Sequence, residues 1–179
     1  MKKSKKIFII IIVLLILVLA GAGIYAYFTY NTGKENNVIL GYNKISLDEE
    51  YDPPLKMEKG ISFTKKPYVT NKGNVDCYVR VKSKVSDSRV EKDITIDYNS
   101  SQDINDTSKE WYYNVQDGYY YYKNELKPGE KTEDLFTTVE ISETADDLIL
   151  DGFDIYLYAE SVQTVKDKTM SEVWNYFNT

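Results

Sequence analysis

Hydrophobic and polar positions alternate most clearly over residues 71–85, in the sequence NKGNVDCYVRVKSKV. One parity carries the apolar side chains of Val75, Cys77, Val79, Val81 and Val85. The other parity carries Asp76, Tyr78, Arg80, Lys82 and Lys84. Because successive strand residues point to opposite faces of a sheet, this pattern predicts a strand with one buried and one solvated face. One-sided patterning favours a central strand of an antiparallel sandwich.

Similar segments, separated by turn residues, predict further strands at 37–48, 60–69, 93–98, 111–122, 135–141 and 153–161. Glu49, Glu50 and the Pro53-Pro54 pair are expected to end the first of them. The aromatic block at 111–122 is predicted as a hairpin that turns at Asp117-Gly118. Residues 127–130 have Pro128 and Gly129 in the two central positions of a predicted type II turn. Apolar residues at helical spacing predict a short helix over Met170–Phe177.

The number of strands and the frequency of turn signals predict the fold class. We expect an all-β protein, a jelly-roll-like antiparallel β-sandwich with a short C-terminal helix and an N-terminal signal or anchor helix. Residues 27–179 would form the sandwich domain. Residues 1–26 would precede it as a separate element.

The N-terminal segment has the features of an export signal. Residues 2–6 hold four lysines, and residues 7–24 form an uncharged apolar run. The run is longer than a typical signal-peptide core and just long enough to span a bilayer. A cleaved signal peptide and a retained anchor with its positive end inside both fit this pattern. Membrane contact is expected through this segment alone, before cleavage, and the body is expected outside the cell.

The overall charge argues against nucleic-acid binding. The chain has 22 Lys and Arg residues, 28 Asp and Glu residues and a formal net charge of −6. The four N-terminal lysines are the only charged residues before Tyr27, so without them 18 basic residues face 28 acidic ones, a charge of −10. Phosphate groups would repel such a body.

The chain contains no histidine and one cysteine. The missing histidine removes the commonest zinc ligand and the usual general base of serine and cysteine hydrolases. Cys77 lies on the apolar parity of its strand, so a buried small hydrophobe is preferred over a nucleophile. We therefore expect no enzymatic activity and no cofactor.

Three groups of polar residues are further candidates for chemistry. Two of these groups could bind calcium. The first consists of Asp146, Asp147, Asp151 and Asp154, and the second of Asp103, Asn105 and Asp106. Neither group has the spacing and glycine placement of a known calcium loop, so solvated loops are the preferred interpretation. The third group offers carboxylates for acid–base chemistry without a sign that they converge, and consists of Glu125, Glu130, Glu133 and Asp134.

Tyrosine is unusually frequent, with 17 residues. Tyr156 and Tyr158 lie opposite the apolar parity of their strand and are expected to be exposed. Cross-strand aromatic pairing explains most of the tyrosines. An aromatic platform for a sugar or another subunit is the functional alternative for this pair.

Five short segments, in order, resemble the TasA/camelysin family of exported bacterial proteins, which a SipW-type signal peptidase processes. They are AYFT at 26–29, NVILGYNKISLDE at 37–49, KKPYVTNKGNVDCYVRVK at 65–82, LKPGE at 126–130 and IYLYAESVQT at 155–164. The resemblance implies cleavage between Ala26 and Tyr27, a jelly-roll body, secretion to the extracellular matrix or cell surface and, for some members, biofilm fibres. Camelysin is described as a metalloprotease, but this chain lacks histidine and an HExxH motif, so that activity is not transferred.

These expectations combine into one hypothesis of assembly. The polar lead at 27–37 looks too polar to be held by its own core, which favours an N-terminal segment, 27–47, that completes the sheet of a neighbouring subunit. Ile39, Ile45 and Leu47 would set the register of the added strand. The partners would be other copies or related fibre subunits. The alternative is a monomeric surface module that binds a glycan or host ligand through Tyr156 and Tyr158.

Overall fold

The computed structural model describes residues 41–177, which contain nine strands and a C-terminal helix. The strands are β1 Ile45–Asp52, β2 Ser62–Asn71, β3 Cys77–Val85, β4 Ile94–Tyr98, β5 Ser100–Ser101, β6 Trp111–Asn114, β7 Tyr119–Tyr122, β8 Phe136–Ile141 and β9 Ile155–Gln163. The helix is Met170–Phe177, and two short 3₁₀ helices occupy Glu91–Asp93 and Asp147–Asp151. The predicted β-rich class with a short C-terminal helix is confirmed. The predicted N-terminal helix lies outside the described residues.

The strands form two sheets, with the orders β1-β2-β8-β4 and β5-β6-β7-β3-β9. All pairs are antiparallel except the short pair β5–β6. β3 lies inside its sheet between β7 and β9, so its prediction as an interior strand is confirmed. β1 and β9 each form one edge of their sheets.

One apolar core joins the two sheets. Val79 and Val81 of β3 share it with Phe136 and Val139 of β8, and all four side chains are almost fully buried. Trp111 of β6 completes the same cluster and donates from its indole Nε1 to the Glu133 carbonyl at 3.2 Å. Because both sheets contribute to a single core, they pack face to face as a two-layer sandwich.

The outer face of β3 differs from its sequence prediction. Tyr78 and Arg80 lie on the parity expected to be solvated, yet each is only 6% exposed. The C-terminal helix covers this part of the sheet, where Val173 and Trp174 form a second apolar cluster with Tyr78 and Tyr121. Lys82 and Lys84 lie farther along β3 and are exposed, so only that half of the face is solvated.

Arg80 stays charged beneath the helix because it is fully partnered. Its Nε and one terminal nitrogen lie 2.6 Å from a Glu160 carboxylate oxygen, and its other terminal nitrogen donates to the Tyr121 hydroxyl at 3.2 Å. The guanidinium also lies 4.2 Å from the Tyr119 ring centroid and 4.3 Å from that of Trp174. Ion pairing and cation–π contacts offset the cost of removing this charge from water.

The first strand begins and ends later than predicted. It starts at Ile45, and it continues through Glu49 and Glu50 to Asp52, just before the two prolines. The glutamates do not end the strand because both form ion pairs with β2, Glu49 with the diagonally placed Lys65 at an N–O distance of 2.5 Å and Glu50 with Lys66 directly opposite at 3.4 Å. Residues 37–40 lie outside the described part of the chain.

Asn71, at the end of β2, connects several segments through hydrogen bonds. Its side chain is fully buried, and its Nδ2 donates to the carbonyls of Val75 and Leu126 at 2.8 Å each. Its Oδ1 accepts from the Gly73 amide at 2.8 Å. Its backbone bonds to the predicted turn at 127–130, which the structure confirms. A buried amide with every group satisfied holds the turn, β2 and the start of β3 together.

We expect Asn71→Ala to lower the free energy of unfolding by about 3 kcal/mol, because it leaves buried carbonyl and amide groups without partners. Urea denaturation measures this loss. Asn124→Ala is the matched control, since Asn124 is exposed and bonds only at the surface, and it should cost less than about 0.5 kcal/mol. Equal effects of the two substitutions would contradict the role given to Asn71.

Candidate functional site

Strand β1 is an edge strand with shallow burial. It pairs with β2 alone, from Ile45 opposite Asn71 to Asp52 opposite Thr64. Ile45 is half-buried and packs against the main core, but Leu47 is 36% exposed and Tyr51 45% exposed. The backbone ladder and two lysine–glutamate pairs therefore hold β1 more than apolar burial does. An edge of this kind can pair with another strand.

The chain enters β1 by crossing close to Gly73. The Lys72 and Asn74 amides donate to the carbonyls of Lys44 and Tyr42 at 2.8 Å and 3.1 Å. A Cβ atom on Gly73 would lie 2.5 Å from the Tyr42 carbonyl oxygen. Gly73 is thus needed for close approach of the backbone and not for a positive φ angle, which it does not adopt.

A groove of about 600 Å³ lies between the edge strands β1 and β9. Leu47 and Tyr51 line it from β1, and Ile155, Tyr156 and Leu157 line it from β9. The carboxylates of Asp48 and Glu49 and the Lys65 ammonium add charge to the same lining. The open side of the sandwich thus offers an apolar groove beside a strand edge. Such a groove can receive an extended segment with alternating apolar side chains.

Tyr156 and Tyr158 are 60% and 58% exposed, so their predicted exposure is confirmed. On β9, they are paired with Lys84 and Lys82, respectively, of the neighbouring strand β3. A hydrogen bond to the Glu160 carboxylate raises the pKa of Tyr158 above its usual value. The two rings and two ammonium groups form a polar aromatic surface on the outer face of the second sheet.

The structure brings together only some of the residues that the sequence singled out. Leu47 and Tyr156 line the same groove, whereas Ile45 packs against the core and Tyr158 does not line the groove. Ala26, Tyr27 and Ile39 lie outside the described residues, so the cleavage site and the first register position stay predictions.

Sequence reasoning missed the cluster around Arg80. The signal for it is indirect: an apolar helical stripe that contains Trp174 needs a surface to cover, and the Tyr78–Arg80 half of β3 supplies it. Nothing in the local pattern distinguishes this half of the strand from the lysine half. The position of the helix decides which half is buried.

Cys77 is fully buried, and its Sγ lies 3.8 Å from the Leu126 carbonyl oxygen. Burial, with a smaller contribution from the Asp76 charge, raises the pKa of the thiol to about 11. A thiol with so high a pKa is almost wholly protonated near neutrality. The interpretation of Cys77 as a small buried hydrophobe is confirmed.

The candidate carboxylates serve local structure. The Asp103 side chain accepts from the Asn105 amide, Asp106 accepts from the Ser108 amide, and Asp146 accepts from the Leu148 amide. Asp147 lies 2.6 Å from the Lys59 ammonium. Within residues 41–177, no three His, Cys, Asp or Glu side chains are grouped so that they could hold a metal ion.

The acid–base candidates likewise have separate surroundings. The Glu125 carboxylate accepts from the Tyr78 hydroxyl at 3.0 Å, and the Glu130 carboxylate accepts from the Lys127 amide in its own turn. Burial raises the pKa of Asp134 above its usual value. Glu133 contributes its backbone carbonyl to Trp111.

Comparison with known proteins adds no relative. No protein-family model matches the chain, and no curated protein is significantly similar to it in sequence. The resemblance to the TasA/camelysin family therefore stays a prediction. None of the helical segments in the described part of the chain has the length and hydropathy of a membrane span.

We expect Cys77 of the folded protein to react with Ellman's reagent near pH 8 only as fast as the protein unfolds. Its raised pKa leaves little thiolate, and the side chain is inaccessible. Denaturing urea should make the reaction rapid. A Tyr156→Cys variant provides the control, because its exposed thiol should react at once. Fast labelling of the native cysteine would restore it as a candidate nucleophile.

Proposed function

We propose that this chain is a secreted or cell-surface structural protein, a subunit or accessory of extracellular matrix fibres that assembles by β-strand addition. The observation that carries the proposal is the shallow burial of the edge strand β1, in which Leu47 is 36% exposed and Tyr51 45% exposed. Jelly-roll topology, membership of the TasA/camelysin family and processing by a SipW-type peptidase between Ala26 and Tyr27 belong to the same proposal. No catalytic activity forms part of it.

The interactions of β1 are of a kind that another copy can replace. Every backbone bond to β2, and the Lys65–Glu49 and Lys66–Glu50 ion pairs, would form equally well with β1 of a neighbour. Exchange then loses little apolar burial and regains the whole ladder. Strand swapping between identical subunits is a low-cost route to assembly for this reason.

The groove beside β1 supports a longer contact than the strand alone. Its apolar lining between β1 and β9 could receive side chains from the segment at 27–47 of the donor, including Ile39. Backbone bonds would give affinity, and the alternating apolar residues would give register.

A reversible lock on β1 tests this mechanism. Glu50→Cys and Lys66→Cys, in a Cys77→Ala background, place two thiols at a directly paired position of β1 and β2. We expect the oxidised variant to remain monomeric and the reduced variant to form fibres, because a disulfide keeps β1 on its own body. Negative-stain electron microscopy and sedimentation measure the outcome.

Thr95→Cys and Glu140→Cys supply the control, since they lock the other edge strand, β4, to β8 of the same sheet. This pair should polymerise whether oxidised or reduced. Fibres from the oxidised Glu50–Lys66 pair would contradict strand exchange. So would fibres from a chain that lacks residues 27–48.

A second candidate function is a monomeric surface module that binds a glycan or host ligand through Tyr156 and Tyr158. The exposure of both rings beside Lys82 and Lys84 favours it. Tyrosine offers a large contact area at low entropy cost, and lysine adds hydrogen-bond donors.

For this second function, we expect Tyr156→Ala with Tyr158→Ala to abolish binding on a glycan array, because the variant loses both aromatic contact surfaces. Tyr176→Ala removes a tyrosine that is 71% exposed elsewhere and should leave binding unchanged. Loss of binding in both variants would point to a general effect of tyrosine removal and contradict this site.

A further inference from the structure

A cleft of about 500 Å³ lies between the β6–β7 hairpin and the C-terminal helix. This cleft is separate from the proposed assembly edge, β1, and from the surface formed by Tyr156 and Tyr158. Tyr112 and Tyr121 line it from the hairpin, and Trp174 lines it from the helix. Its volume falls in the range of small-molecule sites, about 300–1,000 Å³.

The aromatic wall of the cleft is fixed in place. Tyr121 and Trp174 are nearly fully buried, and their ring centroids lie 5.8 Å apart at an interplanar angle of 83°. Arg80 contacts both, through a hydrogen bond to the Tyr121 hydroxyl and a cation–π contact with Trp174. These contacts hold the two rings in place, and the partly buried Tyr112 is the ring of the wall that a ligand can contact.

Neutral hydrogen-bonding groups surround this wall. Gln116 from the hairpin loop and Ser171 and Asn175 from the helix line the cleft and are exposed. Ser171 and Asn175 are four residues apart, so they lie on the same side of the helix. The Trp174 Nε1 is buried and has no acceptor within residues 41–177.

Among the described residues that line the cleft, only Asp117 has a charged side chain, and neutral donors already satisfy it. The Asp117 carboxylate accepts from the Tyr121 hydroxyl at 2.6 Å, the Asn114 amide group at 3.1 Å and the Tyr119 backbone amide at 3.0 Å. No Lys or Arg side chain of the described residues lines the cleft. An anionic ligand would find no counter-charge there, so the lining favours a neutral one.

We propose that this cleft is a binding site for a neutral glycan. Aromatic faces match the C–H face of a sugar ring, and amide and hydroxyl side chains both donate to and accept from sugar hydroxyls. The site lies apart from β1, so its occupation does not depend on strand exchange. A fibre subunit with such a site would attach to polysaccharide while it polymerises.

The test uses the full chain in a non-glycosidic detergent on a printed array of neutral hexose, N-acetylhexosamine and pentose oligosaccharides, with oligouronates as charged probes. The best neutral binder is then titrated while tryptophan fluorescence is followed. Trp174 is one of two tryptophans in the chain and lines the cleft, whereas Trp111 lies in the main core. We expect saturable binding that weakens at least about tenfold in Gln116→Ala with Asn175→Ala, because both lost groups contact the ligand.

Gln116 and Asn175 are exposed, so their substitution should preserve the fold. An unchanged urea-denaturation curve would confirm that the variant is folded. Tyr156→Ala with Tyr158→Ala is the matched control and should retain the affinity of the unmodified chain. No neutral binder on the array, binding restricted to oligouronates, or full affinity in the Gln116–Asn175 variant would each overturn the proposal. Loss of binding in the Tyr156–Tyr158 variant alone would overturn it in favour of the exposed tyrosine surface.

Discussion

The hydrogen bonds of the buried Asn71 side chain hold together the segments where the chain passes from the first sheet to the second. One amide side chain and its own backbone connect the end of β2, the following turn, Leu126 and the turn at 127–130. The first pair of the β1–β2 ladder also forms at this residue, opposite Ile45. Because each of these groups is shielded from water, none can lose its partner cheaply. The same residue thus belongs to the acceptor side of the β1–β2 ladder, at the start of the candidate assembly edge.

Stability is distributed unevenly over the two sheets. The core shared by the two sheets holds the large buried side chains, such as Trp111 and Phe136, whereas β1 exposes much of Leu47 and Tyr51. Segments with few buried contacts open at lower free-energy cost than the rest of a domain. A firm body with one weakly held edge strand is the arrangement that strand exchange requires, since the strand can leave without unfolding its acceptor.

Arg80, like Asn71, connects several segments of the chain, and it does so on the outer face of the second sheet. Its contacts with Glu160, Tyr121 and Trp174 connect β3, β7, β9 and the C-terminal helix around one buried charge. They also fix the aromatic wall of the proposed glycan cleft. The proposed assembly edge and the proposed glycan cleft therefore lie on different elements, so the two proposed functions would not compete for the same surface.

The sequence by itself determined the strand character of β3, the hairpin at Asp117-Gly118, the turn at 127–130 and the C-terminal helix. Each depends on side-chain period or on turn residues that act within a few positions. The sequence did not determine the end of β1, the need for Gly73 or the burial of Arg80. Those depended on residues distant in the chain: Lys65 and Lys66 in ion pairs with two glutamates, the Tyr42 carbonyl close to a glycine, and a helix some ninety positions later. Alternation tells which side chains share a face, but only the packing of distant elements decides whether that face meets water, because burial is a property of the whole fold.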